Sequence, residues 1–458
     1  MLLSAKWVLP ISHNPIQDGA ILIEGSKIKD VGKLKSLAAR YPEEEVRDFG
    51  KAVILPGFVD LHTHLEYSVF RGVCDDLGYA DWKIQLTIKS EALGKGDWVH
   101  SAYLGALEAI QSGITTIADI TKSGASLIAA RDAGLRGIIY YEVTGMDHTK
   151  VSQIMSKAEK DIAHWIDSAS GSNLIIGFAP HSPYTVSAPL YKESTRWARA
   201  QNLQICTHLA GSKAEYDFVK YGSGQLANEY WEVAGWGNIL WQPTGVSPVK
   251  YLEEWGVFEG GNTLAVHCVQ VDEPDIDILQ RYDVAVAHCP RCNAKLGMGI
   301  APLSSFLERG LKVGIGTDSP ASNNTMDPFA EMRTGLLMQR GITKSAGFTA
   351  QDFVYMATLG GAKAINLQDK VGSLEPGKEA DVIVVDMSHS HQIPIRDPYS
   401  ALVYTANQEN IILTMVAGKI LYQDYKYTLL DEVEILKKAE PIRKKVKQTA
   451  SSAPIAGR

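Results

Sequence analysis

The chain has 458 residues, 45% of them hydrophobic and 21% charged, with a formal net charge of −7. That length exceeds what one core usually fills, so one large domain with a smaller companion is expected. The acidic balance gives no reason to expect nucleic acid or an anionic membrane as partner. No apolar run approaches the roughly 18 residues of a spanning helix, and residues 1–15 lack the long apolar core and cleavage site of a secretory signal. A cytoplasmic protein, assembled as a homo-oligomer, is the expectation.

Residues 1–55 read as short strands with turns: Trp7–Pro10, Ala20–Gly25 and Val53–Pro56, with a helical signal only near Leu34–Tyr41. A matching strand-rich block returns at Ala380–Asp386 and Ile411–Gly418. Two strand-rich ends around a long middle predict one small β-sandwich domain, residues 1–55 with 366–431, built from both chain ends.

The middle, 56–365, alternates strand and helix patterns. Eight strand candidates stand out: Phe58–Leu61, Thr115–Ala118, Gly137–Glu142, Leu174–Phe178, Gln204–Thr207, Thr263–Val266, Val284–Ala287 and Lys312–Gly316. Helix-length segments such as Trp98–Gln111, Ala188–Ala200 and Glu273–Gln280 separate them. Repeated βα units with nearly all-apolar strands indicate a closed barrel or a doubly wound sheet. Eight strands favour the (β/α)8 TIM barrel. The polar residues point the same way, because His62/His64, His208, His267 and Asp318 follow candidates 1, 5, 6 and 8. In a barrel those ends converge on one face; in an open sheet, strands 1 and 8 need not meet. The tail, 432–458, reads as a basic helix with a solvated lysine face that then frays.

Five cysteines are present: Cys74, Cys206, Cys268, Cys289 and Cys292. Cys289-Pro290-Arg291-Cys292 has redox or zinc-motif spacing, but no second such pair exists to complete a structural zinc site. Reduced packing residues are the reading, and no disulfide framework is implied.

His62 and His64 are two apart on a strand, so both point to one face, and two imidazoles so placed can hold one ion. His208, ending strand 5, is read as the third ligand. Asp318, in Gly316-Thr317-Asp318-Ser319, is a helix N-cap on the plainest reading. Beside a divalent ion it would instead be ligand and general base. Imidazole and carboxylate suit zinc, with iron(II) as the alternative, and a hydrolytic site keeps one position open for water. A fifth protein ligand would exclude that water, so His267 is assigned to donate a hydrogen bond to the water or the developing oxyanion. No lysine lies near the end of strand 4, so one metal per chain is expected. His181 is then free for substrate, with turn chemistry around Ser182-Pro183 as the rival reading. Ser319 and Trp82, the latter in the long loop after strand 1, are further candidates for substrate contact. The stretch from Gly211 to Gly261 carries ten aromatic residues, seven of them from Tyr216 to Trp241, and those seven either shape the pocket or pack the loop.

Six motifs in order carry a resemblance: Pro56-Gly57-Phe58-Val59-Asp60-Leu61-His62-Thr63-His64, His208-Leu209-Ala210, Val266-His267-Cys268, His288-Cys289-Pro290, Asn293-Ala294-Lys295-Leu296-Gly297 and Gly316-Thr317-Asp318. Together they resemble the amidohydrolase superfamily, in its cytosine/guanine-deaminase-like branch. That branch includes S-adenosylhomocysteine/methylthioadenosine deaminases, aminodeoxyfutalosine deaminases and triazine hydrolases. The resemblance spans nearly the whole chain, through Gly372–Asp381. It implies a mononuclear metal held by His62, His64, His208 and Asp318, and metal-activated water attacking an sp² carbon that bears an amino group. A heterocyclic, adenosine-like nucleoside amine is the implied substrate; displacement of chloride, as in triazine hydrolases, and a non-catalytic scaffold are the alternatives.

One departure matters. Deaminases of this branch resemble H-L-x-E after strand 5, where the glutamate passes a proton to the ring; here that position is Gly211. General acid catalysis is worth about 10²–10⁴ in rate. Three accounts stand: Glu215, one turn on, reaches in; Glu66 substitutes; or the substrate is not a purine-like amine.

Overall fold

A computed structural model describes residues 1–448; the frayed tail expected at the end of the chain, 449–458, lies outside the described residues. Both chain ends contribute to one sheet. From the start come β1 (Leu2–Val8), β2 (Ile16–Glu24), β3 (Lys27–Lys33), β4 (Val46–Asp48) and β5 (Ala52–Pro56). The sheet closes on β14 (Val382–Asp386), β15 (Ile411–Val416), β16 (Lys419–Gln423) and β17 (Lys426–Tyr427). Its order is β17-β16-β15-β14-β5-β1-β2-β3, with β4 beside β1, so the two ends are joined at the antiparallel pair β5–β14. Leu3, Ile21, Ile54, Val382, Val384 and Leu413 share one buried apolar core there. The small all-β unit expected from the two ends is present as one continuous, mainly antiparallel sheet.

Eight parallel strands lie between: β6 (Phe58–Thr63), β7 (Ile114–Thr121), β8 (Arg136–Val143), β9 (Leu174–Pro180), β10 (Ile205–Leu209), β11 (Thr263–His267), β12 (Ala285–His288) and β13 (Val313–Ile315). They pair in sequence order, and a bridge between Thr63 and Asp318 brings the last strand's end to the first. This is the (β/α)8 barrel. All eight residues of β7 are buried, as parallel strands covered on both faces require. Each sequence-derived strand lies on one of these, displaced by at most three residues at its ends.

The helices follow the apolar spacing of the sequence. Val151–Ala169 buries Met155, Ala158, Ile162, Trp165 and Ala169, steps of three and four that form one stripe. Glu273–Arg281 starts at Asp272, which caps Asp275 N–H while Asp275 caps it in return. The C-terminal helix Glu432–Gln448 buries Ile435, Ala439, Ile442 and Val446, and Lys445 reaches Asp97 of the helix Lys95–Gln111 at 2.8 Å. Its remaining lysines are exposed. No described helix is long and apolar enough to cross a membrane.

Barrel and small sheet are clamped by a buried ion pair. Arg136, at the start of β8, donates to Asp381 from Nε at 2.7 Å and from Nη2 at 3.1 Å, and Asp381 also accepts Ala417 N–H at 2.7 Å. Losing Asp381 leaves the buried Arg136 with only Glu379, 3.5 Å away, as counter-charge. Asp381→Ala should therefore destabilise the protein by roughly 3–5 kcal/mol, read from denaturant unfolding; a loss below about 1 kcal/mol, the value of an exposed pair, would contradict a clamping role.

Candidate active site

The carboxyl ends of the barrel strands gather His62, His64, His208, His267 and Asp318 into one buried cluster. Ring centroids of His62 lie 4.7 Å from His64, 4.9 Å from His208 and 5.8 Å from His267. His64 Nε2 and His208 Nε2 are 3.4 Å apart, and His62 Nε2 is 3.5 Å from Asp318 Oδ1. Ligand atoms of His62, His64 and Asp318 all fall within 4.8 Å of one another, as do those of His62, His208 and His267.

Tautomers are set from outside the cluster. His64 Nδ1–H donates to Ile120 O at 2.8 Å and His208 Nδ1–H to His181 O at 2.9 Å, so both Nε2 lone pairs face inward. Both ring nitrogens of His62 are buried with no hydrogen-bond partner among the described residues. Such orphaned polar atoms cost stability unless something binds them, and a lone pair beside two other imidazoles and a carboxylate is what a divalent cation takes. The donor set fits zinc or iron(II). Burial pulls the His64 imidazolium down to about 3 and that of His208 well below its usual range, which keeps both in the neutral, ligating form.

Asp318 has its backbone at φ +59°, a left-handed conformation unusual for a side-chain-bearing residue; His267 sits at +76°. Two anchors hold that shape at Asp318. Its N–H donates to His62 O at 2.8 Å, and neighbouring Thr317 donates from N and Oγ1 to the two oxygens of buried Asp60 at 2.9 and 2.6 Å. Burial raises the Asp318 carboxyl, but the contact with His62 and the other surrounding imidazoles outweigh it, leaving it well below the carboxylate range. The N-cap reading does not hold: the cap of the following turn is Ser319, whose hydroxyl accepts Ser322 N–H.

His267 departs from the expected direction of hydrogen bonding. Its Nδ1–H donates to Asn293 Oδ1 at 2.9 Å, and burial pulls its imidazolium down to about 4. The neutral ring therefore presents a lone pair at Nε2, 4.0 Å from Asp318 Oδ2. It accepts a proton before it can donate one.

The other candidates divide. Trp82, His181 and Ser319 line a chamber of ≈ 540 Å³ over the cluster. Trp82 is oriented by donating Nε1–H to Ala321 O at 3.1 Å. Glu66 is not brought to the metal-binding cluster: its carboxylate is consumed by Thr121 at 2.5 Å, by Lys122 N–H at 3.0 Å and by Ser123. Glu215 is likewise committed, accepting Ala210 N–H at 2.8 Å and Gly211 N–H at 2.9 Å, so it holds the loop after β10 instead of reaching substrate. Gly211 lies against the cluster: a Cβ there would stand 3.2 Å from His267 Cδ2 and 2.9 Å from Met298 Cε. A side chain at 211 would press on His267.

Among the chamber-lining residues that the sequence reading did not single out, three carry chemistry. Glu142 ends a recognised strand, as the histidines do, and its charge there was the available signal. Lys83 adjoins Trp82 but has no motif of its own. Cys292 is the third: all five cysteines are free and buried, yet the Cys292 thiol donates to Asp318 Oδ2 at 2.8 Å, beyond a packing role. The aromatic loop is mostly self-packed, with Phe218 stacked on Trp241 at 4.8 Å and against Trp231 at 5.4 Å.

The description "Amidohydrolase family" matches residues 53–421. This chain belongs to the amidohydrolase family. It is 33% identical over 428 residues to the 5′-deoxyadenosine deaminase of Methanothermobacter thermautotrophicus, covering 93% of this chain and 94% of that one. With the 5-methylthioadenosine/S-adenosylhomocysteine deaminase of Syntrophobacter fumaroxidans it shares 32% over 435 residues, 94% of each. Among solved structures, a zinc-bound adenosine deaminase from Xanthomonas campestris superposes with a TM-score of 0.84 at 24% identity, covering 97% of this chain and 98% of that one. A zinc complex of atrazine chlorohydrolase from Arthrobacter aurescens gives 0.82 at 21%, covering 96% and 99%. At those identities the superpositions speak for the fold alone.

Proposed function

We propose that this amidohydrolase removes the exocyclic amino group of an adenosine-like nucleoside, of the S-adenosylhomocysteine or aminodeoxyfutalosine type, with one divalent metal, zinc in preference to iron(II). The observation that carries this reading is the inward-facing set His62, His64, His208 and Asp318, with Asp318 ionised and His267 Nε2 unprotonated beside it. The deaminase names of relatives at 32–33% identity supply the nucleoside.

A divalent cation held by His62, His64, His208 and Asp318 would lower the pKa of a bound water, making a nucleophile available at neutral pH. The remaining work belongs to the chain. Asp318 takes the proton from the attacking water and returns it to the departing amine. His267 accepts a hydrogen bond through Nε2 from the attacking water and orients it. The Cys292 thiol fixes the Asp318 carboxylate plane. Trp82 walls the chamber in which the flat ring lies.

The test is incubation of metal-analysed protein with nucleosides, free purines, pyrimidines and chlorotriazines, scoring ammonia and chloride separately. Ammonia from adenosine-type nucleosides is expected. Chloride release without ammonia would replace this reading with triazine-type hydrolysis, the alternative kept open by Gly211 and the engaged Glu215.

A further inference from the structure

The two oxygens of the Asp318 carboxylate face different donors. Oδ1 lies 3.5 Å from His62 Nε2, within the group formed by His62, His64 and Asp318. Oδ2 lies 2.8 Å from the Cys292 sulfur and 4.0 Å from His267 Nε2. Ligand atoms of Asp318, Cys292 and His267 all fall within 4.8 Å of one another. The four-residue metal set proposed above uses the first side of the carboxylate and leaves the second untouched.

His267 is held as a metal ligand is held. His64 and His208 each donate Nδ1–H to an oxygen outside the cluster and turn Nε2 inward, and His267 does the same through Asn293 Oδ1 at 2.9 Å. It is only 4% exposed, yet among the described residues no donor reaches its Nε2. Cys292 and Asn293 are neighbours in the short helix Pro290–Lys295, so one segment places the thiol and orients the imidazole. Bond lengths agree with a shared ion. Tetrahedral bonds of about 2.0 Å to oxygen or nitrogen and about 2.3 Å to sulfur set the donors about 3.3–3.5 Å apart. The Cys292–Asp318 contact has to open by about 0.7 Å and the His267–Asp318 pair to close by as much. The chamber lined by these three residues gives water access as a fourth ligand.

We infer that Asp318, His267 and Cys292 form a second, inhibitory cation site, selective for thiophilic divalent ions such as zinc and cadmium. Asp318 then bridges two cations, Oδ1 to the first and Oδ2 to the second. Without a cation the thiol keeps its proton and donates it to Asp318. A coordinating thiol is deprotonated outright, so binding replaces that proton by the metal and releases it to solvent. The first equivalent goes to His62, His64, His208 and Asp318, a set with four ligands and no thiol proton to displace. The second position fills only beyond it, and crystals loaded with one equivalent show the first ion alone. A second cation occupies Oδ2 and His267 Nε2, the lone pairs that take the proton of the attacking water and orient it in the reading above. The inhibition rests on that reading; the binding does not. Thiolate favours zinc and cadmium over magnesium and manganese, whose preferred ligands are oxygen atoms.

For the experiment, the full chain loaded with one equivalent of zinc receives increments of cadmium(II). An ultraviolet difference spectrum reports cadmium–thiolate charge transfer, and ammonia release from an adenosine-type nucleoside reports turnover. One further equivalent is expected to bind with zinc retained, to bring the charge-transfer band, and to lower kcat by about a hundredfold or more, the lower end of what acid–base catalysis contributes. Excess zinc should inhibit likewise, and magnesium at matched concentration should not. In Cys292→Ser the band should be absent, and kcat should stay near the value that variant has before cadmium is added. Comparing each protein with itself removes any effect of the substitution on the first step. Crystals of the wild type with added cadmium need no variant: a second anomalous peak among Asp318, His267 and Cys292 is expected. No band in the wild type, a band kept in Cys292→Ser, or a second peak bounded by other residues would overturn the site. Full activity with the band developed would overturn its inhibitory role. Band and peak in protein that releases no ammonia from any nucleoside would keep the site and remove the deaminase reading. Ammonia release with neither band nor inhibition would do the reverse.

Discussion

Asp318→Asn is expected to lower kcat by about 10³ or more, because general acid–base catalysis alone is worth roughly 10²–10⁴ and the substitution also weakens a metal ligand. The fold should survive. Asparagine keeps the shape, and the main-chain anchors of this residue, its N–H to His62 O and the Thr317–Asp60 contacts beside it, do not involve the carboxylate. The variant loses the ability to take a proton and part of its hold on the metal. In the wild type the carboxyl is held well below its usual range, so the base is ionised at neutral pH and activity should decline only well into the acid range. Steady-state kinetics on variant and wild type, each normalised to bound metal, make the comparison. A kcat within tenfold of wild type would show that the proton goes elsewhere, His267 Nε2 being the other acceptor at hand.

The second large effect concerns the metal. His62→Ala should reduce metal affinity by more than the 10- to 100-fold typical of losing a mere supporting contact to a ligand, and His208→Ala should do the same. Stability supplies a readout that needs no substrate. A ligand bound only by the folded state adds about 4 kcal/mol at a free concentration 1,000 times its Kd. Chelation should therefore lower the thermal midpoint of the wild type sharply and leave that of His62→Ala almost unmoved. Equal chelator sensitivity in both would place the cation away from His62, whose two buried nitrogens would then still lack a partner.

The barrel was legible because its strands are short, apolar on both faces and separated by helix-length segments, and because the residues that must meet lie at strand ends. His62 and His64 were legible from the two-residue period of a strand, and Asp318 from its place after the last one. The roles of Glu215 and Glu66 were not. Spacing puts each near the site, but spacing does not show that Glu215 is spent on the N–H groups of Ala210 and Gly211, or Glu66 on Thr121, Lys122 and Ser123. Lys83 was hidden for a related reason. It reaches His181 across the barrel mouth from a helix whose sequence carries no local sign of that contact. The hydrogen-bond direction at His267 depends on Asn293, 26 positions away, and belongs to the tertiary structure alone.

The account stands on one cation shared by side chains from the first, fifth and eighth barrel strands. Anomalous diffraction at the metal absorption edge, on crystals of the metal-loaded protein, tests this most directly. A single strong peak within bonding reach, about 2.0–2.3 Å, of His62, His64, His208 and Asp318 is the expected result. No peak among these residues in protein shown by metal analysis to be loaded, or a peak bounded by other side chains, would contradict it.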